Sequence, residues 1–434
     1  MTISRVKEIV IKIINLTRSR GLRALFEQLI FELKKRIYEN KKTKKQLTAG
    51  DIFNNKFINV KQIQAVYIER DEYRFNIVLD SLQKDSFFGG VATALIMAVL
   101  YCNKNEVPLR IITRNSATNP AEFDNFLKMM NIKKPKSVEY YTDYDKMFGN
   151  NHYGMEVSKK DIFLATSWWS AQVIDSINLR DNFFYILQEV EMFFYPNGDE
   201  QLLCESVMNK TNIKFIINSK LLYDYYRNNN YTNVIENGVY FEPAFVENLY
   251  HPGNKSFVKK DKYRLFFYAR PNNPRNLFYH GLRILNEAVD KGIIDNSEWE
   301  ICLAGTELVD FEFSNGVKPK ILGNMSWKNY ADFLRSVDLG LCLMYTPHPS
   351  YPPLDLAASG GVVLTNSYRN KKELYYSKNI ICKKIDENFL EELKKAISLA
   401  KNKKQRMANY ENNLIARNWE KSFNNIIDFI NEQK

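Results

Sequence analysis

Short apolar runs alternate with helical stretches along most of this chain, and the alternation happens twice. Residues 75–79, 110–113, 161–166, 183–187 and 214–218 read as buried strands with helical patterns between them, the first helix at 91–101. Turn-rich segments follow around Asn237-Gly238 and His251-Pro252-Gly253-Asn254, and then the pattern restarts. Strands are expected at 264–268, 299–304, 320–322, 339–343 and 362–365, and helices at 277–289, 327–336 and 353–359. A strand, a helix and a further strand close a right-handed crossover, so such a series builds a parallel sheet. The fold class is therefore α/β: two Rossmann-like, doubly wound domains facing a cleft, with ligands expected outside the carboxyl ends of the strands. A length of 434 residues suits this. The expected domains are 49–245 and 246–415, with a last helical pattern at 416–434.

The first 48 residues form a separate, basic, amphipathic helical extension. Ile3, Val6, Ile9, Val10, Ile13 and Leu16 follow helical spacing, as do Leu22, Leu25, Phe26, Leu29, Ile30 and Leu33 after Gly21. Thirteen Lys/Arg against four Asp/Glu in residues 1–46 place +9 of the net +11 there. The rest of the chain is nearly neutral, unlike a uniformly basic nucleic-acid binder, so no nucleic-acid partner is expected. No apolar run reaches membrane-spanning length, and Lys7, Glu8 and Lys12 interrupt what would be a signal-peptide core. Two readings stay open. The helices lie on an anionic membrane surface, or their apolar stripe packs on the body or on a second subunit of a homo-oligomer.

Two motifs in the second series point to phosphate. Arg270 and Arg275 sit in a Pro- and Asn-rich turn directly behind the strand at 264–268. Paired guanidinium groups in a loop of fixed shape suit a bidentate anion; the plain alternative is a solvated surface turn. Downstream, His348-Pro349-Ser350-Tyr351-Pro352-Pro353-Leu354-Asp355 reads as a loop entering a helix. Ser350 is placed to cap that helix, and Pro352 and Pro353 fit its first turn. The helix N-terminus can hold an anion. Asp355 is available to a ribose hydroxyl or simply complements the helix dipole, and His348 can stack, donate to phosphate or sit in the loop. Together these form a candidate diphosphate pocket.

Signals in the first series are weaker. Gly89-Gly90 lets backbone N–H groups approach a ligand, or only turns the chain into the next helix. Trp168 and Trp169 follow one strand, and Glu189 and Glu191 follow another, which suggests a sugar-acceptor edge or else core aromatics. In an extended loop the two glutamates would share a side. Neither is assigned as catalytic base. Five dispersed cysteines without a CxxC pair favour a reducing compartment, and no zinc or other metal site is expected from the four histidines.

These residues resemble glycosyltransferase family 4, a GT-B group, and more narrowly the bacterial rhamnosyltransferases of surface polysaccharide and S-layer glycan assembly. The resemblance rests on Tyr268-Ala269-Arg270-Pro271 through Arg275-Asn276, on Leu322-Gly323-Asn324, on Tyr330-Ala331-Asp332-Phe333-Leu334, on Pro347 through Leu354 and on Gln188 through Pro196. It implies a retaining, metal-independent transferase needing no cofactor beyond a nucleotide-sugar donor, here dTDP-rhamnose. The acceptor is implied to be a growing glycan, lipid-linked or free, at the cytoplasmic face of the membrane. Arg270 and Arg275 match the family's Arg-x4-Lys diphosphate pair, with Arg in place of Lys. Asp355 falls on the second glutamate of its E-x7-E motif, a ribose ligand, and Pro347 stands where the first belongs. Gly323 and Asn324 match the loop near the nucleobase, and Ser350 and Tyr351 are left to contact the donor sugar. The competing reading from another class is a non-catalytic binder of nucleotide sugar or carbohydrate.

Overall fold

The computed structural model describes residues 47–83, 89–143, 154–254 and 256–434. The expected helices of residues 1–46, and Phe87 and Phe88 before the glycine pair, lie outside the described residues. The chain divides into two compact units, Met1–Ile58 and Asn59–Lys434. In the first, a helix at Ala49–Lys56 starts from Thr48, whose hydroxyl accepts the Asp51 N–H at 3.1 Å while the Asp51 carboxylate accepts the Thr48 N–H at 3.0 Å.

Asn59–Lys434 contains fifteen described strands: β1 Ala65–Tyr67, β2 Arg74–Leu79, β3 Leu109–Thr113, β4 Val138–Thr142, β5 Met155–Val157, β6 Asp161–Ala165, β7 Phe183–Leu187, β8 Ile213–Asn218, β9 Gly238–Phe241, β10 Tyr263–Tyr268, β11 Trp299–Ala304, β12 Lys320–Gly323, β13 Leu339–Leu341, β14 Val362–Asn366 and β15 Ile380–Lys383. Seven form a parallel sheet in the order β4-β3-β2-β6-β7-β8-β9, and six form a second in the order β12-β11-β10-β13-β14-β15. β1 and β5 pair separately. Both large sheets start at a central strand, wind outward one way, then return and wind out the other. Each therefore has a topological switch point, between β2 and β6 and between β10 and β13, where the loops diverge and leave a crevice.

All residues of β2, β3, β6 and β7 are buried, as expected where helices cover both faces of a parallel sheet. The helix Gly90–Asn105 buries every residue from Ala92 to Cys102, so it too is covered all round. One of its neighbours is the final helix, Trp419–Glu432, which crosses onto the first sheet. Tyr101 Oη donates to Asn431 Oδ1 at 3.3 Å, Phe241 packs on Phe423 at 4.7 Å, and Asn425 donates to the Tyr240 carbonyl at 3.2 Å. Arg417 fixes the crossover by donating to the carbonyls of Phe245, Tyr250 and Ala358.

Candidate active site

The loops behind β10 and β13 meet at the switch point of the second sheet. The Tyr345 N–H donates to the Arg275 carbonyl at 2.7 Å, which joins the two motifs directly. Asn366 at the end of β14 clasps Met344, accepting its N–H at 2.7 Å and donating to its carbonyl at 3.1 Å. Buried Lys371 donates to the same carbonyl at 2.9 Å. Gly305, behind β11, leaves room for the start of the arginine loop, because a Cβ there would lie 1.6 Å from the Ala269 carbonyl oxygen. Gly305→Ala is therefore expected to push the Arg270 loop out of place. The strain should cost about 1–3 kcal/mol in unfolding experiments.

The two arginines occupy different settings. Arg270 is exposed, whereas the Arg275 side chain is largely enclosed. Arg275 Nη1 donates to Glu189 Oε2 at 2.8 Å, and its guanidinium lies 3.9 Å from the centre of the Phe194 ring. Burial lowers its pKa, Glu189 opposes that, and the charge of Arg270 adds to it. Glu189 projects from the first half and also accepts from the Thr346 hydroxyl and, at 3.0 Å, from the Val190 N–H. Burial raises its pKa against the pull of Arg275 and Thr346. A carboxylate placed by sequence on the acceptor side thus sits on the phosphate-type arginine. The adjoining Gln188 stays within the first half, donating to the Gly90 carbonyl and accepting from Asn218.

The helix of the second motif runs Tyr351–Ala358. The expected Ser350 cap does not form: Ser350 adopts φ 68°, its side chain makes no capping bond, and its N–H donates instead to His348 Nδ1 at 3.0 Å. A positive φ on a non-glycine residue is costly, and such strain concentrates at ligand sites. Because Nδ1 accepts, the His348 proton resides on Nε2, which is buried and has no partner among the described residues. Burial and the charges of Lys371 and Arg275 lower the His348 pKa to about 3, so the ring is a neutral donor at all working pH.

Tyr351 does not present its hydroxyl to an open pocket. Its Oη shares a 2.6 Å hydrogen bond with Thr93 Oγ1 and accepts from Asn218 at 2.8 Å, tying the second half to the first. Gly89, at φ 54°, starts the opposing helix without a side-chain cap, and a Cβ on it would lie 3.9 Å from the Tyr351 ring. Two uncapped helix N-termini thus converge. Asp355 is buried in the wall of a cavity of about 60 Å³ that Gly89, Thr93, Tyr250, Trp327 and Tyr330 also line. Burial raises its pKa to about 8, against the influence of Tyr250 and Tyr330. It faces tyrosines. Gly323, at φ 65°, closes β12 and accepts the Gly305 N–H at 3.2 Å, with Asn324 exposed beside it.

On the first-half side, Trp168 is core: it is 4% exposed and its indole N–H donates to Tyr195 Oη at 2.8 Å. Trp169 is half-buried and donates to Asp80 Oδ1, behind β2, at 2.8 Å. Glu191 does not share a side with Glu189. Residues Glu191–Phe194 wind into a 3₁₀ turn, which breaks the two-residue period, and Glu191 Oε2 accepts the Trp168 N–H at 2.9 Å. Burial raises the Glu191 pKa to about 7, with Asp80 and Glu189 adding to the rise. A carboxyl with a raised folded pKa binds protons preferentially in the folded state, so stability falls as pH climbs from its unfolded value towards 7. Glu191→Gln should remove that decline. The expected gain over wild type is up to about 3 kcal/mol at pH 8 and vanishes near pH 4, readable by urea unfolding at the two pH values. Among the described residues, no group of three His, Cys, Asp or Glu side chains is placed to hold a metal ion, and no helix is long and apolar enough to cross a membrane.

Two Rossmann-like domains whose switch points face each other define the GT-B fold. The chain carries both WsaF domains, the N-terminal one matching residues 74–220 and the C-terminal one residues 263–398. It is 32% identical over 211 residues to the O-antigen biosynthesis protein RfbC of Myxococcus xanthus. That match covers 48% of this chain and only 15% of RfbC. The fold resembles Anabaena HepE in complex with UDP-glucose, at 15% identity and TM-score 0.55, over 83% of this chain and 98% of that one. It also resembles a point mutant of S. aureus TarM in complex with UDP, α-GlcNAc-glycerol and fondaparinux, at 10% identity and TM-score 0.58, over 83% and 100%. Together the paired domain matches and these likenesses support the GT-B fold.

Proposed function

We propose that the chain is a retaining, metal-independent glycosyltransferase of the family 4 type, moving L-rhamnose from dTDP-rhamnose onto a growing bacterial surface glycan. The acceptor is lipid-linked, and the basic residues 1–46 hold the protein to the cytoplasmic face of the membrane. The observation that carries the transferase reading is the 2.7 Å bond between Tyr345 and Arg275, which holds the arginine loop against the loop before Tyr351. In this reading Arg270, Arg275 and the helix N-terminus at Tyr351 take the charge that develops on the departing diphosphate. Glu189 holds Arg275 until diphosphate oxygens compete for it. The bond from the sugar C1 to the phosphate oxygen breaks as the acceptor oxygen bonds to C1 on the same face. The acceptor proton passes to the leaving phosphate, so no protein base is required. Rhamnose and thymidine come from the resemblance alone.

Titration of the full chain with dTDP-rhamnose, UDP-glucose and GDP-mannose, each against wild type and Arg270→Ala, tests this. Selective dTDP-rhamnose binding that the variant loses is the expected result. Preference for another donor would replace the substrate and keep the transferase. Pro347, at the position of the family's first motif glutamate, favours a second reading, a non-catalytic nucleotide-sugar binder. Saturable donor binding with no transfer to any acceptor would establish that one.

A further inference from the structure

An aromatic surface adjoins Arg275. Phe194 is 43% exposed and carries the Arg275 guanidinium over its ring at 3.9 Å. Tyr345, whose N–H holds the Arg275 carbonyl, is 55% exposed. Its ring meets that of Tyr368 at 4.4 Å, and Tyr368 meets Phe193 at 6.1 Å. Arg369 closes the group: its guanidinium lies 5.4–5.6 Å from the rings of Phe193, Tyr225 and Tyr368 and donates to Tyr225 Oη at 3.1 Å. Phe193, Phe194 and Tyr225 come from the first half, and Tyr345, Tyr368 and Arg369 from the second. The rim therefore spans the mouth between the halves and begins on the arginine assigned to the diphosphate.

We propose that this rim is the acceptor subsite, and that it takes the neutral sugar rings of a glycan; the assignment rests on the transferase reading above. One face of a sugar ring is a patch of C–H groups that stacks on an aromatic ring, while its edge carries hydroxyls needing partners. Tyr345 and Phe194 supply exposed ring surface, and Arg369 and the tyrosine hydroxyls supply donors at its margin. The rim is continuous with Arg275, so a glycan lying on it ends where the transferred sugar would leave the diphosphate. Of Trp168 and Trp169, the aromatics the sequence offered for this task, the first is core and the second is half-buried and bonded to Asp80. Fixing Arg369 in place costs the chain a strained backbone, φ 48° at a non-glycine residue, which is the kind of strain that marks ligand contacts.

The test is saturation-transfer NMR and titration of the full chain with α-1,3-linked rhamnotriose and maltotriose, using wild type, Tyr345→Ala, Tyr368→Ala and Tyr345→Trp. Circular dichroism melting serves as the check on folding. A neutral trisaccharide is expected to bind wild type, with affinity falling about five- to tenfold in each alanine variant and held in Tyr345→Trp. dTDP-rhamnose, titrated separately, is expected to bind wild type and Tyr368→Ala alike. Equal trisaccharide binding by folded alanine variants overturns the proposal, as does the absence of binding to wild type at millimolar concentrations. Loss of trisaccharide binding in the alanine variants, with no nucleotide sugar bound by any protein, would sink the donor reading and leave this glycan site standing.

Discussion

Arg275→Ala is expected to lower kcat by about 10²–10³ and to destabilise the fold at the same time. The two effects have separate origins. The first is, in the proposed reaction, loss of a fixed positive charge where the diphosphate would depart. The second comes from Glu189, which keeps its buried position between Thr346 and Val190 but loses its counter-ion. Burial already raises the Glu189 pKa against the opposing charge of Arg275, so without the arginine the carboxyl becomes still harder to ionise. Arg275→Ala combined with Glu189→Gln separates the causes. The double variant should recover most of the stability, since Gln can still accept from Thr346, and none of the turnover. Arg270→Ala should lower turnover without destabilising the protein, because its guanidinium is exposed. Initial rates with dTDP-rhamnose and urea midpoints on the four proteins decide the matter. Wild-type turnover in Arg275→Ala would remove it from the machinery.

The sheets were largely legible from the residues because buried parallel strands are short, almost wholly apolar runs; β2, β6, β7, β8, β10 and β11 all have that form. The strands missed by sequence lie towards the outside. β4 reads Val-Glu-Tyr-Tyr-Thr with every residue only half-buried, and β9 begins at a glycine that looks like a turn. At the site, Arg270 and Arg275 could be placed together in one turn, since they are close in sequence. Their separation into one exposed and one enclosed group could not, because Glu189 is 86 residues away and reaches Arg275 from the other half. Ser350 failed as a cap for a related reason. His348 Nδ1 competes for its N–H and the backbone turns to positive φ, an outcome decided inside the folded loop. Asp355 and Tyr351 were placed on the right helix, but the partners that bury them, among them Thr93, Asn218 and Tyr250, come from three distant segments.

Asp161→Ala should cost about 3–5 kcal/mol of stability while leaving nucleotide-sugar binding intact. Asp161 begins β6 at the amino end of the first sheet, opposite the cleft, and is fully buried. Its carboxylate accepts from Arg74 Nε at 2.7 Å, Arg74 Nη2 at 3.1 Å, Asn76 Nδ2 at 2.9 Å and the Ser158 N–H at 2.8 Å. Arg110, also buried, lies 3.9 Å away, donating to Asn76 Oδ1 and the Glu156 carbonyl. Removing the carboxylate leaves two buried guanidinium groups facing only Glu139, whose side chain is partly in solvent. A buried charge stripped of its partner is expensive, whereas the intact pair can be nearly neutral in net worth, so the single variant should do far more damage than replacing the whole network by apolar residues. Burial works against ionisation of Asp161, but the hydrogen bond from Arg74 and the charge of Arg110 outweigh it, and its pKa is lowered from 3.8. A carboxyl with a lowered folded pKa contributes its full stability above the unfolded value and loses it as pH falls through the folded one. The gap between wild type and Asp161→Ala in urea unfolding should therefore be widest at neutral pH and narrow below about pH 4. A gap that stayed constant down to pH 2 would mean that the loss comes from packing and not from the charge.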